Sequence, residues 1–97
     1  MSKEEEPEGK AYYYSLIDEY LDSGQTGRAL IQAMKNIAYN EDDPVAYINR
    51  ARVYEKLGSL ESAILDLQEA LRISPSEESA AACLKRILEK LSEGASG

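Results

Sequence analysis

The chain has 97 residues, of which 43% are hydrophobic and 30% charged, and its net charge at pH 7 is −7. This length fits one domain with one core, and the acidic balance disfavours nucleic acid as a partner, because nucleic-acid binding needs a concentrated basic surface. Histidine is absent and Cys83 is the only cysteine. We therefore expect no internal disulfide, no metal or other cofactor, and no enzymatic activity.

The two ends differ in composition from the middle. Residues 1–9 carry four glutamates and one lysine, which predicts a disordered acidic leader or, alternatively, an acidic docking arm. Residues 93–97 are typical of a flexible tail. No apolar run approaches the ~20 residues needed to span a bilayer, and the leader lacks the hydrophobic segment of a secretory signal. We therefore predict a cytoplasmic protein with no membrane partner.

Five segments place apolar residues at the period of a helix. Thr26 is a predicted N-terminal cap of the second, and Asp43 followed by Pro44 is a cap with proline at the first helical position of the third. Gly58 suits the left-handed conformation that ends a helix. The predicted helices cover residues 10–22, 26–40, 44–57, 60–73 and 76–91.

Residues of the same type recur 34 positions apart, which indicates an internal repeat. The repeated pairs are Tyr13 with Tyr47, Tyr20 with Tyr54, Gly24 with Gly58, and Ala29 with Ala63.

Helical spacing predicts that the apolar residues of the five helices face inward, including Met34, Leu57, Leu88 and Leu91.

The second repeat carries a specific pattern, Tyr47-x2-Arg50-Ala51-x2-Tyr54, then Ala63-x3-Leu67, then Pro75. It resembles the tetratricopeptide (TPR) repeat, W-x2-L-G-x2-Y, A-x3-F and P. The resemblance implies an all-α TPR domain over residues 10–92, with five antiparallel helices in a right-handed superhelical stack. Two helix-turn-helix repeats, about 10–43 and 44–77, would be followed by a capping helix at 76–91. It also implies that Ala51 and Ala63 lie where two helices approach most closely.

The TPR resemblance also implies a concave groove for a peptide, lined by the first helices of successive repeats. Arg52 with Arg86, and Lys56 with Lys90, are each 34 residues apart, so we expect one basic stripe that binds an acidic or C-terminal peptide segment. Alternatively, the stripe is a solvated face on which Glu55 pairs with Arg52, and Glu89 with Arg86, at i+3. The predicted peptide-binding residues are Tyr14, Asp18, Asn49, Arg52, Lys56, Arg86 and Lys90. Other positions of this chain that correspond to groove positions of TPR domains include Ser15, Asp22, Ile48 and Cys83.

The second repeat further resembles chaperone-adaptor TPR domains, which clamp a C-terminal carboxylate. Of that clamp only Asn49 is kept, because Tyr14 and Asp18 occupy the first-repeat positions and Ser79 and Cys83 the third-repeat positions. Asp18 would repel a carboxylate, so the full clamp is absent. A co-chaperone-like role would require Arg52 and Arg86 to substitute for it.

The resemblance predicts a protein-binding adaptor, but the sequence also allows a different class of protein. The run Tyr12-Tyr13-Tyr14 points in three directions around a helix, so at least one ring faces solvent or an interface. The rings either cover an open end of the stack or mediate a homodimer through the first helix. The chain would in the latter case be a self-associating structural or engineered TPR scaffold with no dedicated ligand.

Overall fold

The computed structural model describes residues 9–96, and all regular secondary structure in that range is helical. The predicted all-α class is therefore confirmed. Apart from Gly9, the predicted acidic leader lies outside the described residues, as does Gly97. The five helices are α1 (Lys10–Asp22), α2 (Thr26–Tyr39), α3 (Pro44–Leu57), α4 (Leu60–Ile73) and α5 (Glu78–Ser96).

The helix boundaries follow from local caps. The Asp43 side chain accepts a hydrogen bond from the Val45 amide at 3.1 Å, which satisfies a free donor at the start of α3. Gly58 ends α3 with φ of 81°, and the Ser59 amide donates to the Tyr54 carbonyl at 2.8 Å. The prediction of Thr26 as a cap is wrong, because Thr26 is the first helical residue, and the side chain of Gln25 at the capping position makes no capping hydrogen bond to the helix.

The last helix differs most from its prediction. It begins at Glu78, two residues late, because the Glu77 amide donates to the Ser74 carbonyl in a turn that holds this segment out of the helix. It continues past Leu91 to Ser96, through most of the segment predicted as a flexible tail. No proline interrupts this stretch, and one glycine in a helix costs only about 1 kcal/mol relative to alanine.

Each helix packs against the next along the chain, and α1 also contacts α3. The short connections make neighbouring helices antiparallel. One core cluster joins α1, α2 and α3 through Ile17, Ala29, Ala33 and Val53. The second joins α3, α4 and α5 through Ile48, Ala51, Ala63, Leu67, Ala70, Ala80 and Ile87.

A buried ion pair ties α3 to α4. The Arg50 guanidinium donates through Nε at 2.9 Å and Nη2 at 2.8 Å to the two carboxylate oxygens of Asp66, which is 5% exposed. The same guanidinium lies 5.6 Å from the centre of the Tyr54 ring, within the range of a cation–π contact. Arg50 therefore contributes to the interior rather than to a binding surface.

Several apolar residues predicted to face inward are largely exposed. Met34 is 50%, Leu57 47%, Leu88 48% and Leu91 39% exposed, so their predicted burial is wrong. Helical spacing identifies an apolar side that is wider than the area one neighbouring helix covers. Residues at the edge of that side remain in contact with solvent.

Candidate functional site

A cleft of about 450 Å³ opens among α1, α3 and α5. These are the helices from which the peptide groove was expected. Arg52 and Lys56 are one turn apart on α3, and Arg86 and Lys90 are one turn apart on α5, so each pair projects from one helix face. The residues lining the cleft are Leu21, Asp22, Arg52, Glu55, Lys56, Arg86 and Lys90.

Glu55 connects the two helices that carry the cations. Its carboxylate accepts hydrogen bonds from the Arg86 guanidinium and, at 2.9 Å, from Lys90 Nζ. The side chain of Glu55 is only 16% exposed. The hydrogen bond from Arg86, followed by that from Lys90, holds the pKa of Glu55 below its ordinary value, although partial burial opposes the shift. Glu55 is therefore ionised at neutral pH and compensates part of the cationic charge.

Arg52 also has carboxylate and amide partners. Its Nη1 atom lies 2.9 Å from Asp18 Oδ1 and donates to Asn49 Oδ1 at 3.0 Å. Lys56 is exposed and, within residues 9–96, makes no ion pair. The ammonium of Lys56 is thus the cation of the cleft that is most open to an incoming anion.

The structure brings together Arg52, Lys56, Arg86 and Lys90, and it adds Asp18 through the ion pair with Arg52. Three predicted site residues, Asp18, Asn49 and Tyr14, do not line the cleft. Asn49 is only 6% exposed and reaches the site through Arg52.

Tyr14 lies at the start of α3 rather than beside the cations. Its hydroxyl donates to the carboxylate of Asp43, which also lies 3.7 Å from Lys10 Nζ. Burial first, and then this hydrogen bond, raise the pKa of the Tyr14 hydroxyl. Tyr14 thus holds α1 against the connection that precedes α3.

The partners of Glu55 are not those that helical spacing suggests. Spacing makes Glu55 an i+3 partner of Arg52, whereas in the fold Glu55 pairs with Arg86 and Lys90 on α5. The 34-residue recurrence of Arg52 and Lys56 was the available signal, because it places Arg86 and Lys90 on an equivalent helix face. Glu55 lies between Arg52 and Lys56 in the sequence, so the same recurrence places it near the α5 cations.

Stacked antiparallel helices with a cleft on one side define a helical-repeat scaffold. Residues 44–77 match the family model described as tetratricopeptide repeat. The matched segment is formed by α3, α4 and the following turn, and the resemblance predicted from the pattern in that segment is confirmed. No match was found among curated proteins.

A TPR repeat indicates a protein–protein interaction module, and the family is generally non-enzymatic. Within residues 9–96, no helix combines the length and the hydrophobicity that a bilayer-spanning segment needs.

Proposed function

We propose that the chain is a non-enzymatic adaptor that binds an acidic peptide or partner segment in the cleft among α1, α3 and α5. The observation that carries this proposal is the convergence of Arg52, Lys56, Arg86 and Lys90 on one cleft. The lining has four cations and two carboxylates, in a chain whose net charge is −7. The charge of the cleft thus has the opposite sign to that of the protein as a whole.

An acidic segment would first meet Lys56, whose ammonium has no carboxylate partner among residues 9–96. Arg52 and Arg86 each present five N–H donors, and the contacts with Asp18 and Glu55 use only part of them. A ligand carboxylate can therefore add a charge-assisted hydrogen bond without breaking the ion pairs that join the helices. Partial neutralisation by Glu55, Asp22 and Asp18 favours weak binding, and the TPR resemblance implies the micromolar range.

A substitution of Glu55 tests whether binding depends on the negative charge of the ligand. Its carboxylate occupies donors of both Arg86 and Lys90. Replacing it with glutamine keeps the shape and removes the competing charge, so we expect Glu55→Gln to bind an acidic peptide more tightly. A neutral peptide should show no such gain.

The test is a fluorescence-anisotropy titration of a labelled peptide rich in aspartate and glutamate, with the matching asparagine and glutamine peptide as the reference. We expect saturable binding of the acidic peptide alone. The affinity should fall between 0.1 M and 1 M salt, because the Debye length shortens from about 10 Å to about 3 Å.

Three variants localise the site. Lys56→Glu should weaken binding at least about tenfold, or 1.4 kcal/mol, and Arg52→Glu combined with Arg86→Glu should abolish it. Lys35→Glu is the matched control, because Lys35 is exposed on α2 and does not line the cleft. Circular dichroism checks that each variant keeps its helices. Equal losses from the cleft and control reversals would contradict the proposal, since they would indicate only a diffuse charge effect.

A further inference from the structure

A second groove, apolar and with a volume of about 390 Å³, lies between α4 and α5. It is on a different side of α5 from Arg86 and Lys90, which line the cationic cleft. The apolar surface comes from Leu71 on α4 and from Ala81, Leu84 and Leu88 on α5. Leu88 is 48% exposed, so part of this surface is in contact with water in the single chain.

Two side chains of opposite charge border the apolar surface of the groove. Lys85 and Glu89 are one turn apart on α5 and both line the groove. Within residues 9–96, neither residue makes an ion pair. Beside its apolar surface, the groove therefore offers one cation and one anion that have no ion-pair partner in the described part of the chain.

This arrangement is self-complementary. When two copies of α5 lie antiparallel with Leu84 of each opposite Leu88 of the other, Lys85 of each copy lies near Glu89 of the other. In this alignment, Lys85 of one copy and Glu89 of the other are displaced from each other by two residues along the helix axis. Two residues correspond to about 3 Å, because a helix rises 1.5 Å per residue, and a lysine side chain spans that distance. A two-fold arrangement makes every one of these contacts twice.

We propose that this groove binds the same face of α5 from a second copy of the chain, forming an antiparallel two-fold dimer. Leu88 of each copy enters the groove of the other beside Leu71, and Lys85 pairs with the second copy's Glu89. Apolar burial supplies the affinity, and the two reciprocal ion pairs set the orientation. The cationic clefts remain open, so the dimer presents two of them.

The first measurement is sedimentation equilibrium of the full chain from about 1 μM to about 1 mM. We expect the mass to rise with concentration from 10.7 kDa towards twice that value. A mass of 10.7 kDa over the whole range would overturn the proposal.

Leu88→Glu places a charge in the centre of the groove and should leave the chain monomeric. Leu65→Glu is the matched control, because Leu65 is 66% exposed on α4 and does not line the groove. It should dimerise like the unaltered chain. A second control, Tyr12→Ser, tests self-association through α1. Loss of the dimer in Tyr12→Ser but not in Leu88→Glu would contradict the proposal.

A charge swap tests the antiparallel pairing itself. Lys85→Glu and Glu89→Lys should each weaken dimerisation at least about tenfold, because each sets like charges opposite one another. An equimolar mixture of the two variants should form a heterodimer, since the two acidic side chains of the first variant then face the two basic side chains of the second. The double variant should dimerise like the unaltered chain. Failure of the mixture to associate would refute the pairing even if the unaltered chain dimerises.

Discussion

The buried ion pair between α3 and α4 offers the sharpest test of the packing. Replacing Arg50 with methionine keeps most of the apolar stem and leaves the Asp66 carboxylate, whose side chain is 7% exposed, without its two charged donors. Removing one partner of a fully buried pair costs about 3–5 kcal/mol. The Arg50 side chain is 24% exposed, so water reaches the site, and we expect a loss of about 3 kcal/mol in the free energy of unfolding.

A loss of that size is a large share of the total, because a chain of this length has a stability of about 5–15 kcal/mol. The melting temperature should fall by more than about 10 °C, at about 4–8 °C for each kcal/mol. Urea denaturation followed by circular dichroism measures the free energy directly. The double variant Arg50→Met with Asp66→Leu should recover most of the loss, since it removes both charges from the interior.

The matched control is Arg72→Met. Arg72 also pairs with a carboxylate through two hydrogen bonds, to Glu69, but its side chain is 70% exposed. Water replaces that contact when it is lost, so the melting temperature should stay unchanged. Equal effects of Arg50→Met and Arg72→Met would refute the reasoning, because burial would then not determine the cost.

Three further predictions concern the same helices. Ala51→Leu or Ala63→Leu should cost roughly 1–3 kcal/mol by overpacking the core, since both residues are at most 2% exposed; unchanged melting temperatures for both would contradict this packing. Gly58→Ala should cost about 1–2 kcal/mol because φ is 81°, and an unaffected urea midpoint would argue against that backbone conformation. Ion pairing lowers the pKa of Glu55 from 4.5, so its contribution to stability is fully present above that value and is lost as the pH falls through the lowered native pKa. Urea midpoints from neutral to acid pH should therefore fall less for Glu55→Gln than for the unaltered chain, and parallel pH profiles would contradict the pairing with Arg86.

Local sequence features determined where the helices lie. The bounds of α1, α3 and α4 agree with their predictions. For α3 the reason is local, because Asp43, Pro44 and Gly58 act on the backbone within one turn of their own positions. The 34-residue period also anticipated that the cations of α3 and α5 lie beside one cleft. Repeated units place equivalent residues on equivalent faces, so this result needs no knowledge of the packing angle.

Contacts between distant residues were decided only by the tertiary structure. Asp66 is 16 residues from Arg50, and Glu55 is 31 residues from Arg86, so no helical period relates them. Ile48 was expected beside the groove and is buried at 6% exposure, whereas Leu88 was expected inside and borders an open apolar groove. Helical periodicity determines which residues share a face, but the burial of that face depends on which neighbouring helix packs against it and how far its surface extends.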